Sequence, residues 1–287
     1  ASNATVPRRN RVVRLALGAD HLRVESRADI VEDIAFKDVG NAHGGAGAHS
    51  GGRIRFGIAA GDRYLYVGTG DNHDGTLPQS PAAPLGGKVL RITRDGAAAP
   101  GNGAPAGFDE RIFTYGHRNV QGIAFRPGSG RPFVAEHGPN HSDEVTALVP
   151  GGNGGWDPQN RPALDCADGY CGYAGNATTM PMTDTVRFPA AMRPGWTNSG
   201  ASQGLGPAAF LSGSQWKAWD GRLLVGIMAG SRIELLTLDD AGVATANSTV
   251  TAGNDPLRAR IRSLLQGPDG SLYVLTDSNQ LWRIVPG

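Results

Sequence analysis

Lysine is nearly absent from this 287-residue chain: Lys37, Lys88 and Lys217 are all there are, and the remaining basic residues are arginine. The bland reading is codon preference. The 27 basic residues face 26 acidic ones, a formal net charge of +1. That balance excludes a polybasic surface for nucleic acid. No apolar run approaches the roughly 20 residues that carry a helix across a bilayer. No signal peptide is visible, yet "ASNATVPRRNRVVRL" does not read as a natural start, so the expectation is that this chain begins downstream of its true N-terminus. Cysteine is limited to Cys166 and Cys171 in "DCADGYC". One such pair is too few for a zinc site, and the spacing is wrong for a CxxC redox motif. A small loop disulfide in an oxidising compartment is the favoured reading. A long helical period is missing as well.

What is present is glycine, 43 of 287 residues, about double the usual share and without the period of collagen. It separates short segments rich in Val, Ile, Leu and aromatics: "NRVVRLAL", "GRIRFGI", "RYLYVGTG", "KVLRITR", "QGIAFRP", "RPFVAEHG", "GRLLVGIM", "RIELLTL", "SLYVLTD" and "QLWRIV". Strand, tight turn, strand is an all-β pattern. "AAGDRYLYVGTGD", "PGSGRPFVAEHG", "AWDGRLLVGIMAG" and "GPDGSLYVLTD" form a weak, irregular repeat, which predicts a β-propeller of small four-stranded blades. Material for four or five blades is visible in one domain spanning 1–287. Residues 151–210, rich in Gly, Pro and Asn, predict a long insertion over one face, where functional loops sit.

Several polar groups fall at strand ends. His49 precedes two glycines and a strand; its near-neutral titration suits a general base, against the alternative of a solvated turn. Asp71 in "VGTGDNHDG" either shapes a turn or orients a histidine. His43 is read as a turn residue. "EHGPNH" superficially suggests zinc, but Gly138-Pro139 breaks any helix that would align His137 with His141. A hard cation on the carbonyls of Gly138 and Pro139, supported by Asp143 and Glu144, fits better. Arg258, Arg260 and Arg262 alternate, so a strand would present them on one face, suited to carboxylates of a polyanion, with Arg118 as a further contributor.

Taken together, "HSGGRIRFG", "LYVGTGDN", "GGKVLRITRDG", "YGHRNVQGIAF", "EHGPNHSDEV", "GRLLVGIMAG" and "RIRSLLQGPDGSLYVLTD" resemble the soluble glucose/sorbosone dehydrogenases, especially the PQQ-dependent aldose sugar dehydrogenases. The motifs occur in the family's order from about residue 10 to the end. The resemblance implies a six-bladed β-propeller of four-stranded antiparallel blades, the N-terminal blade or blades missing from this chain. It implies His49 as the base for the sugar C1 hydroxyl and Asp71 as its partner. It implies that Arg118, Asn119, Arg260 and Arg262 bind pyrroloquinoline quinone (PQQ), and that Gly138 and Pro139 hold Ca2+ against it. Trp196 in "PGWTNSG" is the candidate for the aromatic that covers the quinone. The family's glutamine near the cofactor is not visible, and Ala229 stands where some relatives have lysine, with Arg232 as a substitute.

The expected activity is PQQ-dependent oxidation of aldoses at C1 to the lactone, with electrons passing to an external acceptor. The expected setting is the periplasm or the cell exterior, as a monomer or homodimer without a transmembrane segment. The alternatives are a calcium-dependent propeller lactonase or hydrolase, which has no use for an arginine clamp, and a non-catalytic binding propeller.

Overall fold

The computed structural model describes residues 8–40, 44–161, 164–166, 169–173, 180–198, 200–252 and 255–286; His43 lies outside them. It opens with a long antiparallel hairpin of β1 (Asn10–Leu17) and β2 (Val24–Ile34). β3 (Arg53–Ala59), β4 (Asp62–Gly68), β5 (Lys88–Ile92) and β6 (Ile112–Tyr115) build the first sheet. β7 (Val120–Phe125), β8 (Pro132–Glu136) and β9 (Glu144–Ala147) build the second. β10 (Gly152–Asn153) returns to pair with β6, and β11 (Trp196–Thr197) completes the second sheet beside β9. The third sheet runs β12 (Leu205–Phe210), β13 (Leu223–Ile227), β14 (Arg232–Leu238), β15 (Ala244–Thr249). After a short hairpin of β16 (Thr251–Ala252) and β17 (Asp255–Pro256), β18 (Ile261–Gln266), β19 (Leu272–Thr276) and β20 (Leu281–Ile284) form the fourth.

Tight turns make these meanders. Ala60 and Gly61 both have positive φ, 51° and 87°, between the paired residues Ala59 and Asp62; two left-handed residues give the turn whose twist matches a hairpin. The sheets then stack face to face. Tyr66, Val89 and Phe113 of the first pack on Val120, Ile123 and Val134 of the second. Phe133 and Val145 of the second meet Phe210, Val225 and Leu236 of the third. Leu224, Ile233 and Leu235 of the third meet Ile261, Leu264 and Val274 of the fourth. Each interface is an aliphatic and aromatic core, so the sheets behave as propeller blades rather than as two large layers. The first strand of each blade packs against the next, β3 on β7, β7 on β12 and β12 on β18. Gly57 permits the first of these approaches: a Cβ there would lie 2.4 Å from the Phe125 ring. Arg53 and Arg55 donate to the carbonyls of Arg262 and Leu264 at 3.0 and 3.2 Å, tying β3 to β18.

β2 and β15 carry no strand signal in the sequence. β2 alternates charged and small residues, and β15 is the mostly exposed outer edge of its blade. β18 begins at Ile261, so Arg258 and Arg260 precede the strand and the three arginines are not one β-stripe. Among the described residues, no helix is long and apolar enough to cross a membrane.

Candidate functional site

The turn before β3 and the turn after β4 interlock. His49, Asn72 and His73 all take left-handed backbone, with φ of 51°, 51° and 58°, a conformation that costs non-glycine residues energy and gathers where side chains must be aimed. Gly70 makes the approach possible, because a Cβ there would fall 2.0 Å from the His49 carbonyl oxygen. Asn72 Nδ2 donates to the Ala48 carbonyl at 3.1 Å, and the Gly51 N–H donates to Asn119 Oδ1 at 3.1 Å. These bonds hold the His49 imidazole over Asp71.

Asp71 is fully buried. Its Oδ1 accepts from His49 Nδ1 at 2.8 Å and from the His73 N–H at 3.0 Å. Its Oδ2 accepts from Trp156 Nε1 and from the Tyr170 hydroxyl, both at 2.8 Å. Burial pushes this carboxyl up, but the His49 charge and hydrogen bond, Arg118 and the His73 N–H outweigh it and hold it at about 2. His49 goes the other way from its ordinary value: burial and the Arg118 cation bring it down to about 4 against the pull of Asp71. At neutral pH the imidazole is therefore uncharged, with its proton on Nδ1 and the Nε2 lone pair available. The Tyr173 hydroxyl lies 3.4 Å from that nitrogen.

The "GHRN" turn and the strand end "EHGP" meet here. Glu136 at the end of β8 accepts the backbone N–H groups of Arg118 and Asn119 on Oε1 and His117 Nδ1 on Oε2. The Thr114 hydroxyl donates to the other nitrogen of His117, so His117 and Glu136 brace the turn from below. Arg118 is fully buried. It donates to the His137 carbonyl at 2.8 Å and to the Tyr173 hydroxyl at 2.7 Å, and lies over the Trp156 and Tyr173 rings. Its Nε has no hydrogen-bond partner among the described residues.

Beyond His137, the turn 138–142 is folded tightly: a Cβ on Gly138 would sit 2.1 Å from the His141 carbonyl oxygen. Asp143 holds this turn. Its buried carboxylate accepts from Gly138 N, Ser202 Oγ, Gln203 N and Asn198 Nδ2 at 2.6–3.1 Å, which uses its lone pairs within the protein. Glu144 stands opposite Glu136 in the β8–β9 register and accepts from Thr183. Burial and the Glu136 charge push its carboxyl up to about 8. Asp143 is thus tied to the 138–142 turn, while Glu144 follows it at the start of β9. His137 and His141 do not converge: Nδ1 of the first donates to the Gly138 carbonyl, and Nδ1 of the second pairs with Ser142 Oγ.

The insertion after β10 roofs the site. Trp156, Tyr170 and Tyr173 come from it, backed by Met180 and Met182, and the Cys166–Cys171 disulfide is formed beside the two tyrosines. These aromatics are absent from the expected site; the signal was the pair of tyrosines flanking Cys171 in "GYCGY". Trp196, by contrast, lies on the outer strand β11, opposite Val145, and packs into the core between the second and third blades. The structure does not bring it to His49 or Arg118. Arg260 and Arg262 are half-exposed, and both donate to Asp277. Arg232 is held by Glu234 and Gln203, and Ala229 is exposed.

The structure thus gathers His49, Asp71 and Arg118 around the Tyr173 hydroxyl, and the comparisons decide the family. The description "Glucose / Sorbosone dehydrogenase" matches residues 1–283. The chain belongs to this family. It is 29% identical over 244 residues to aldose sugar dehydrogenase YliI of Escherichia coli K12, covering 84% of this chain and 61% of that protein. A solved glucose dehydrogenase superposes with a TM-score of 0.75 at 30% identity, over 95% of this chain and 72% of the other. The PQQ-bound aldose sugar dehydrogenase of Streptomyces coelicolor superposes with a TM-score of 0.66 at 26% identity, over 94% and 67%. The chain spans less than two thirds of the curated relatives it matches, 61% of YliI and 47% of slr1608 from Synechocystis sp..

Proposed function

We propose that this chain carries the active site of a PQQ- and calcium-dependent aldose dehydrogenase that oxidises the sugar at C1 to the lactone and passes the electrons to an external acceptor. The observation that carries this reading is the neutral His49, pinned through Nδ1 by a fully buried Asp71, with Nε2 facing the Tyr173 hydroxyl that Arg118 also binds. Six blades are part of the reading, on the family resemblance. The Cys166–Cys171 disulfide fits the periplasm or the cell exterior.

The residues present suit the groups this activity needs. Arg118 offers a buried guanidinium with an unused Nε, a donor that an anionic ring system could engage. Arg260 and Arg262, gathered on Asp277, supply two further forks for carboxylates. Asn119 contributes through the hydrogen bond that fixes Gly51 and hence His49. For calcium the suitable donors are the backbone carbonyls of Gly138 and Pro139, with Asp143 and Glu144 as supports of that turn. When bound, PQQ supplies a two-electron acceptor and calcium supplies Lewis acidity toward it.

His49 Nε2 takes the proton of the sugar C1 hydroxyl. The Nδ1 proton stays on His49, directed at Asp71, whose charge stabilises the imidazolium that forms. Trp156 and Tyr170 keep Asp71 ionised and dry by occupying its second oxygen. Tyr173, bridging Arg118 Nη2 and His49 Nε2, marks where the sugar hydroxyl must sit. The test is His49→Ala: sugar-dependent dye reduction falls by about 10²–10⁴-fold while PQQ still binds. Normal turnover in that variant would remove His49 as the base.

A further inference from the structure

His73 has no part in the reading above, yet it touches His49, Asp71, Tyr170 and Tyr173. Its ring lies 3.7 Å from the His49 ring, centroid to centroid, tilted by 45°. Its backbone N–H donates to Asp71 Oδ1, the oxygen that orients His49. Its far side meets Tyr170 and Tyr173, at 5.2 and 5.8 Å between ring centroids. Its Nδ1 accepts a 2.9 Å hydrogen bond from Lys37 Nζ, and both side chains are buried. Lys37 is one of three lysines in the chain, and it lies in the segment just after β2.

An ammonium has three donors and no lone pair. Its approach to Nδ1 is compatible only with an imidazole whose Nδ1 is bare and whose proton sits on Nε2. Lys37 therefore fixes both the tautomer and the charge state of His73. A neutral ring lying over His49 keeps water off one face of the base. Protonating either ring would place an imidazolium close to the Arg118 cation, and on His73 close to Lys37 as well.

We propose that His73 and Lys37 form a positioning pair for His49: Lys37 pins His73 in its neutral form, and the His73 ring covers His49 so that the base keeps its Nδ1 proton toward Asp71 and its Nε2 lone pair open. The proposal deepens the assignment of His49 as base and rests on it. Among the described residues, the charged and titratable groups facing the two rings are Asp71, Arg118, Lys37, His137, Tyr170 and Tyr173. Of these, Asp71 alone favours imidazolium strongly, and the cations oppose it. In agreement, burial, the neighbouring His49 and Lys37 bring His73 down to about 3 despite Asp71.

The experiment is imidazole 15N NMR on the full chain, titrated through acid pH, together with the acid limb of sugar oxidation. The wild type should show His49 protonated on Nδ1 and His73 on Nε2, both neutral at pH 5. In His73→Ala the cover is gone, so the His49 midpoint rises by about one pH unit and the acid limb follows it; His73→Phe restores a ring and returns the midpoint toward wild type. In Lys37→Met the His73 midpoint rises by about one unit or more and its tautomer becomes mixed. An unchanged His49 titration in His73→Ala, or a wild-type His73 protonated on Nδ1, overturns the inference. Should His73→Ala not fold, Lys37→Met decides alone: an unchanged His73 overturns it. A wild-type chain that shows the expected titrations but oxidises no aldose refutes the proposed function and leaves the pairing supported.

Discussion

Replacing Asp71 by Asn is the sharpest single perturbation of this site. The amide keeps the shape of the carboxylate but turns one acceptor oxygen into a donor. In either orientation the new NH2 faces a donor already in place: His49 Nδ1 and His73 N at one position, Trp156 Nε1 and Tyr170 OH at the other. Only the Tyr170 hydroxyl can rotate away. At least one buried donor is left unpaired, which costs about 1–3 kcal/mol. If His49 yields instead, it moves its proton to Nε2 and loses its basic lone pair on the substrate side. The comparable tautomer error in a catalytic triad lowers kcat by about 10⁴-fold, so a loss of about 10²–10⁴-fold is expected here. The assay is dye reduction under PQQ saturation, paired with urea unfolding to separate stability from chemistry. A folded Asp71→Asn protein with turnover within about threefold of wild type would refute the claim that Asp71 sets the His49 tautomer.

Three further outcomes follow from the same geometry. Stability falls on acidification: a His49 depressed from 6.5 to about 4 makes the folded state bind fewer protons than the unfolded chain, so its contribution is full above pH 6.5 and is lost as pH drops toward 4. The loss is about 3 kcal/mol, read as a falling urea midpoint that is flattened in His49→Phe. Lys88→Met destabilises by about 3 kcal/mol or more, since Lys88 Nζ is the buried donor to the carbonyls of Leu77, Pro78 and Gly86; a urea midpoint equal to wild type would contradict it. Arg260→Ala weakens PQQ binding, followed by absorbance titration, while thermal unfolding of the apo-protein is unchanged because the arginine is half-exposed and, among the described residues, its side chain is bonded only to Asp277.

Most of the blades are legible in the sequence because their strands are clusters of Val, Ile, Leu and aromatics cut by glycine turns. β15 is not, because an outer edge strand such as "ATANST" faces water and has no core to select apolar residues. β2 is hidden because Glu25, Arg27 and Asp29 alternate through its more exposed first half, leaving few apolar residues to mark a strand. Within the site, His49, Asp71 and Arg118 could be picked out because each lies within two residues of a glycine in a turn next to a strand. Glu136 as the brace of the GHRN turn could not, since three hydrogen bonds to one carboxylate depend on a register that spacing alone does not fix. Tyr170 and Tyr173 were obscured by an insertion without strand signal. Trp196 misled because an indole in a Pro-Gly turn resembles a loop residue, while here it joins β9 as an edge strand.

The central claim is that these residues form a working quinone site, and it is tested most directly by titrating the apo-protein with PQQ and calcium, then adding an aldose and a dye acceptor. The account predicts calcium-dependent PQQ binding, visible by absorbance, followed by sugar-dependent dye reduction. Failure to bind PQQ in the presence of calcium would contradict it.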